Sequence, residues 1–264
     1  MPSHGETARV EHMRDYRALV DEAASVSVDG WDFSWLAGRA DEQRPSWGYA
    51  SAMAERLSTA NRALDVDTGG GEVLNEAADL PALTVATESW PPNLARAAES
   101  LSPRGVNLVR TRDASALPFR DAVFDLVTSR HPVKVWWHEI ARVLAPGGTY
   151  FAQHVGPASA VEVTEWFLGP QPDAWEHRRP ETDRAEAEAA GLSIIDLRCE
   201  RLRMEFFDVG AMIYFLRKVI WILPEFTVER YEHRLRALHD HIVANGSFVA
   251  HSSRFLIEGA KPQR

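Results

Sequence analysis

The sequence predicts an α/β fold, a doubly wound and mostly parallel sheet, on three observations. Short apolar runs alternate with helix-like segments from Ala63 to His154. Repeated βα units of this kind require a parallel sheet with helices on both faces. The first run, Ala63-Leu64-Asp65-Val66-Asp67, breaks after Thr68 into three consecutive glycines, Gly69, Gly70 and Gly71. Lacking Cβ atoms, they let backbone approach a ligand closely at the carboxyl end of a strand, where such sheets hold nucleotide-like cofactors. Finally, 264 residues with 45% hydrophobic side chains suffice for one domain with a sizeable core and a modest insertion.

The elements follow in order. Glu6–Ala24 reads as a polar surface helix and Asp29–Leu36 as an aromatic loop. Arg44-Pro45 breaks the chain, and Ser46 can N-cap a helix from Trp47 to about Ser58. Strands are predicted at Ala63–Asp67, Leu83–Thr87, Val106–Arg110, Phe124–Ser129 and Thr149–His154. Between them lie helices over Glu72–Ala78, Pro92–Leu101 and Val135–Leu144. Trp136, Ile140, Val143 and Leu144 share one face of the last, and Pro146-Gly147-Gly148 stops it. Further on, Ala160–Leu168 and Thr182–Ala190 read as helices and Leu192–Leu197 as a sixth strand. Asp208 can N-cap an apolar helix, Val209–Ile222, and Thr227–Ala244 is amphipathic. Ser247–Ile257 is the seventh strand. The expected organisation is a helical N-terminal cover over 1–60 and a main domain over 61–264, with a helical insertion at about 205–245.

Composition narrows the function. A net charge of −9 repels phosphate backbones, so no nucleic acid is expected as partner. The single cysteine, Cys199, excludes an intrachain disulfide and a CxxC zinc site, which suits a cytoplasmic setting. Met1–Val10 has no apolar core of a secretory signal. Gly210–Leu223 is too short and, with Arg217 and Lys218, too charged to span a bilayer, so no membrane is expected. Those two cations imply that one face of their helix meets solvent or an anion.

Candidate cofactor-binding residues start with Asp65, Gly69 and Gly71. Glu88 ends the second strand roughly 20 residues on, where an acid can accept hydrogen bonds from ribose hydroxyls. That spacing suits NAD or S-adenosylmethionine. Against NAD, the three glycines are consecutive, so the Gly-x-Gly-x-x-Gly spacing is absent.

Five segments in order resemble the class I S-adenosylmethionine-dependent methyltransferases. They are the Ala63–Gly71 loop, Glu88, Asp113-Ala114-Ser115-Ala116-Leu117-Pro118-Phe119, Phe124-Asp125-Leu126-Val127, and Glu139-Ile140-Ala141-Arg142-Val143-Leu144-Ala145-Pro146-Gly147-Gly148. The resemblance implies a Rossmann-like sheet, S-adenosylmethionine as cofactor, Glu88 on the ribose, and Asp113 with Ala114 at the adenine. One departure stands out: the family has glycine where this chain has Asp67. Asp67 either pairs with the cofactor's positive end or is a tolerated change in the turn.

The reacting methyl should lie past the fourth and fifth strands, beside Ser129, Arg130 and His131. His131 is a candidate general base near neutral pKa, or a residue that shapes the loop before Pro132. His154 at the end of the fifth strand is a second catalytic candidate, beside Gln153. Arg130 can recognise an anionic group, and Trp47, Phe206 and Tyr214 are candidate substrate contacts. No metal is expected. The primary expectation is methyl transfer to oxygen, nitrogen or carbon of an apolar or aromatic small molecule, by a chain that can form a homodimer. An RNA base methyltransferase and a non-catalytic cofactor-binding member of the fold are the alternatives.

Overall fold

The computed structural model describes residues 15–112 and 114–263. The elements are α1 (Tyr16–Ser25), β1 (Ala40–Glu42), α2 (Tyr49–Thr59), β2 (Arg62–Val66), α3 (Glu72–Asn75), β3 (Leu83–Glu88), α4 (Pro91–Leu101), β4 (Asn107–Arg110), β5 (Phe124–Arg130), α5 (Trp137–Val143), β6 (Leu144–Val155), α6 (Val161–Leu168), α7 (Pro180–Ala189), β7 (Ser193–Phe206), α8 (Val209–Lys218), α9 (Val228–Asn245) and β8 (Phe248–Ala260). The strands hydrogen-bond in the order β1-β7-β8-β6-β5-β2-β3-β4. The run from β6 to β4 is parallel, and β8 is antiparallel to β6.

The sheet is therefore mostly parallel, as expected, but has eight strands rather than seven. The additional strand, Ala40-Asp41-Glu42, is too short and polar to carry an alternating signal, and pairs antiparallel with Met204–Phe206. No described helix is long and apolar enough to cross a membrane.

The chain divides into two compact units. The larger comprises Arg44–Pro157, Trp175–Glu200 and Ser253–Arg264. Its strands are buried on both faces, and alternation decides which face each residue serves. Ala63, Leu126, Phe151 and Leu256 pack with Met53 and Leu57 of α2. Leu64, Val127, Tyr150 and Ile257 pack with Trp137 and Ile140 of α5. From β2 the chain turns to β3 and β4 on one side, then returns to β5 on the other. The strand order thus reverses between β2 and β5, and a crevice opens at their carboxyl ends.

In its described residues, the smaller unit comprises 15–43, Ala158–Ala174 and Arg201–Ser252. Its core gathers Leu19, Met212, Ile213, Leu216, Leu235 and Leu238 from α1, α8 and α9. Asp208 caps α8 by accepting from the Ala211 amide at 2.8 Å, and Arg39 holds that carboxylate bidentately. A Cβ on Gly210 would come within 2.9 Å of the Leu19 carbonyl, so glycine permits the close approach of α1 and α8.

Three local expectations change. Ser46 does not cap α2; its amide and hydroxyl bond the Glu200 carboxylate, and the helix starts at Tyr49 behind Gly48 in the left-handed region. The helix after the glycines is a single turn, Glu72–Asn75. Arg217 and Lys218 face neither water nor an anion alone. Arg217 donates to the carbonyls of Ala23 and Val26, and Lys218 reaches that of Val28. Backbone carbonyls left over at the end of α1 thus compensate two partly buried cations.

In the larger unit, Arg142 of α5 clamps the loop after β4. Its guanidinium donates to the carbonyls of Leu117 (2.9 Å) and Phe119 (2.7 Å), while Glu139 accepts from the Leu117 amide and braces Arg142. The pair with exposed Asp121 adds little in high dielectric; the half-buried carbonyls are what need the arginine. Arg142→Ala is expected to lower unfolding free energy by about 2 kcal/mol. Arg142→Lys should recover only part of that, as read by urea denaturation.

Candidate functional site

The carboxyl edge of the larger unit collects most of the polar residues singled out from sequence. Glu88, 6% exposed, ends β3 and ties the edge together. One of its oxygens accepts from the Gly69 amide at 3.0 Å, the other from the Ser89 and Trp90 amides at 2.7 Å each. A buried carboxylate is held here by three backbone donors, two of them where the chain enters α4.

The glycine turn shows why each residue type is needed. Gly69 and Gly71 have positive φ (65° and 84°). A Cβ on Gly71 would meet Leu101 Cδ1 at 2.7 Å, so the turn also fits closely against α4. Asp67 takes φ 57°, a conformation that aspartate adopts more readily than most residues. The turn therefore keeps its shape without the family glycine, at the addition of a carboxylate.

Behind the turn, Asp65 is buried and accepts from the Thr128 hydroxyl at 2.6 Å. Burial raises its pKa to about 6, and the Thr128 hydrogen bond opposes the rise. Beside Glu88, Asn93 Oδ1 and Thr111 Oγ1 are buried with no hydrogen-bond partner among the described residues. Orphaned polar atoms flanking a pre-set carboxylate fit a ribose-bearing ligand that supplies the missing partners. Alongside, Val66, Ala114, Ser129, Pro132 and Trp136 line a cleft. Ser129 donates its hydroxyl to the Val66 carbonyl at 2.9 Å and accepts from Tyr49 at its own carbonyl. Asp113 lies outside the described residues.

Past β5 runs a second chain of bonds. The Trp47 indole N–H donates to Gln153 Oε1 at 2.8 Å, and Gln153 Nε2 lies 2.8 Å from His131 Nε2. An indole nitrogen can only donate, so Gln153 accepts there and donates to His131. His131 Nε2 is therefore the acceptor, and the proton of the neutral ring sits on Nδ1. The backbone is fixed as well: His131 has φ 55° and donates its amide to the Gln153 carbonyl at 2.7 Å. Burial lowers its pKa to about 2, helped by the charges of Arg254, Arg130, His154 and Arg178. A near-neutral pKa was expected from sequence; the structure keeps this imidazole uncharged instead.

Comparisons with known proteins bear on this geometry. Residues 64–152 match a family model described as a methyltransferase domain. That similarity covers about a third of the chain. The matched segment takes in the glycine turn, Glu88 and the cleft, and ends one residue before Gln153. No curated protein matches the chain by sequence. Among solved structures, a Bacillus halodurans protein provisionally classed as a methyltransferase aligns with TM-score 0.55 and 20% identity, over 80% of this chain and 98% of its own. Phosphoethanolamine N-methyltransferase 2 of Haemonchus contortus, solved with S-adenosyl-L-methionine, gives 0.52 and 19% over 95% of this chain and 61% of its own. The cyclase SpnF gives 0.52 and 19% over 99% and 97%. Likeness at these identities shows a shared fold, and the cyclase is a reminder that a fold does not fix a reaction.

The remaining sequence candidates fall in distinct places. Arg130 is exposed at the end of β5. His154 follows Gln153 in β6 and so points to the opposite face. There its Nδ1 bonds Asp183 at 2.7 Å and its Nε2 bonds the Tyr150 hydroxyl at 3.0 Å, in a packed setting with Phe255. Phe206 and Tyr214 belong to the core of the smaller unit, where Tyr214 donates to the Asp32 carbonyl at 3.0 Å. Tyr49, Arg178, Asp183 and Arg254 escaped sequence reading. Each sits outside the recognised motifs, and only strand register or loop geometry brings them near.

The two perturbed groups predict opposite pH responses. His131, depressed from 6.5 to about 2, contributes stability above pH 6.5 that is lost as pH falls. Asp65, raised from 3.8 to about 6, contributes stability at low pH that is lost as pH rises through 6. Between pH 4 and 6 the two offset. Relative to wild type, His131→Asn should therefore lose stability as pH rises over that window, and Asp65→Asn should gain it. Each slope is at most about 1.4 kcal/mol per pH unit, read by urea denaturation.

Proposed function

We propose that the chain is an S-adenosylmethionine-dependent methyltransferase acting on a small-molecule acceptor, and that it works by alignment rather than through a histidine base. The observation that carries this reading is Glu88, fixed by three backbone amides beside the orphaned Asn93 and Thr111 atoms. When bound, the cofactor supplies an electrophilic methyl group on sulfur.

This chain's residues do the rest. Glu88 takes the ribose hydroxyls with the lone pairs that the amides leave free, and Gly69–Gly71 keep the backbone open. Ala114 and Trp136 wall the cleft beside Ser129. Asp67 faces the cofactor's cationic end, where about −1 against +1 favours binding. His131 holds no spare basic lone pair: Nε2 is engaged by Gln153, and the ring stays neutral above pH 2. It positions the acceptor as a donor through Nδ1–H, with Arg130 and Trp47 alongside. Alignment of this kind supplies most of the acceleration for an acceptor oxygen, nitrogen or carbon that is already nucleophilic.

Titration calorimetry tests the assignment. S-adenosylhomocysteine should bind and NAD should not. Glu88→Ala should weaken that binding by about 1–3 kcal/mol through lost charge-assisted hydrogen bonds. Binding of NAD in its place, or Glu88→Ala affinity equal to wild type, would sink the reading.

A further inference from the structure

We propose that the face of β5, β6 and β8 beside His131 is an oxyanion site, and that the methyl acceptor carries a carboxylate or phosphate held there. The acceptor's identity rests on the methyltransferase reading; the anion site itself is tested without turnover.

Sheet register assembles the site. Arg130 lies opposite Gln153, and Arg254 lies opposite Val155. Positions 153 and 155 share a face of β6, so Arg130, Gln153 and Arg254 all project to one side. That is the side on which Trp47 and His131 bond Gln153. Arg178 adds a third guanidinium whose charge reaches the His131 ring. The largest charge effects on that ring are all cationic.

Such a cluster stands out in a chain of net charge −9. Arg130 and Arg178 form no ion pair or side-chain hydrogen bond among the described residues. Among the described residues, Asp183 bonds His154, Asp65 bonds Thr128 and Glu258 bonds Arg56. Guanidinium groups present paired donors that match the oxygens of carboxylate and phosphate, and neutral His131 adds an Nδ1–H without charge repulsion of its own. A bound oxyanion would supply Arg130 and Arg178 with the partner that they lack among the described residues. The cofactor's own carboxylate has the same chemistry, so the test separates the two sources.

The protein is first saturated with S-adenosylhomocysteine, which fills any site for the cofactor's carboxylate. Inorganic phosphate and sodium acetate are then titrated separately at matched ionic strength against sodium chloride, with tryptophan fluorescence as readout. Saturable binding of phosphate, acetate or both is expected, and the preferred ion names the acceptor's group. Arg130→Gln and Arg178→Gln, both at exposed positions, should weaken it about tenfold or more. Their thermal unfolding and their S-adenosylhomocysteine affinity should change little. A response no different from chloride, or variants that bind the ions as wild type does, would overturn the proposal. So would a tenfold loss of S-adenosylhomocysteine affinity in the arginine variants, which would assign these cations to the cofactor. Failure of S-adenosylhomocysteine to bind wild type is a separate outcome; it strikes the methyltransferase reading, and ion binding to the free protein would still decide the anion site.

Discussion

The Glu88 carboxylate is the interaction on which the candidate site depends. It joins the glycine turn after β2 to the entry of α4 after β3, through one amide of the first and two of the second. The turn offers only the Gly69 amide, while α4 adds the Asn93 side-chain amide at 3.5 Å to the two backbone donors. A buried carboxylate without donors would be costly, and the amides without an acceptor would be orphaned, so each requires the other. Parallel strands bring the two segments together by ending on the same edge. The reversal of strand order between β2 and β5 then leaves the crevice open beside them.

A second constraint acts past β5. Trp47 can only donate, and that one fact propagates through Gln153 to fix which nitrogen of His131 carries the proton. The result removes a base from the site and leaves a neutral donor among cations. Asp65, on β2, is tuned the other way by burial. Two buried ionisable groups of opposite kind thus offset each other between pH 4 and 6.

Much of this was legible in the sequence. The parallel core, the glycine turn, Glu88 and the Asp208 cap were visible because each is a local signal: a run, a spacing or a capping residue. Motif positions also gained physical reasons. Asp125 accepts from the Asn61 and Arg62 amides and so anchors the start of β2, and Arg142 clamps the loop ahead of β5. What stayed hidden depends on long-range pairing. The tautomer of His131 follows from Trp47 and Gln153, 106 residues apart. Arg254 reaches the same face only through the register of an antiparallel strand. His154 sits one residue from Gln153, yet the pleat sends it to Asp183 and Tyr150 instead. Strand β1, three residues long, offered no periodicity to read.

Hydrogen–deuterium exchange with and without S-adenosylhomocysteine tests the central claim most directly. The claim is that the Glu88 edge, spanning the turn at 66–71 and the segment at 88–93, is where the cofactor is held. Ligand should slow exchange in both segments together, because a ribose engaging Glu88 bears on both ends of its hydrogen-bond network. Binding that leaves both segments unchanged while protecting amides elsewhere in the chain would contradict the account.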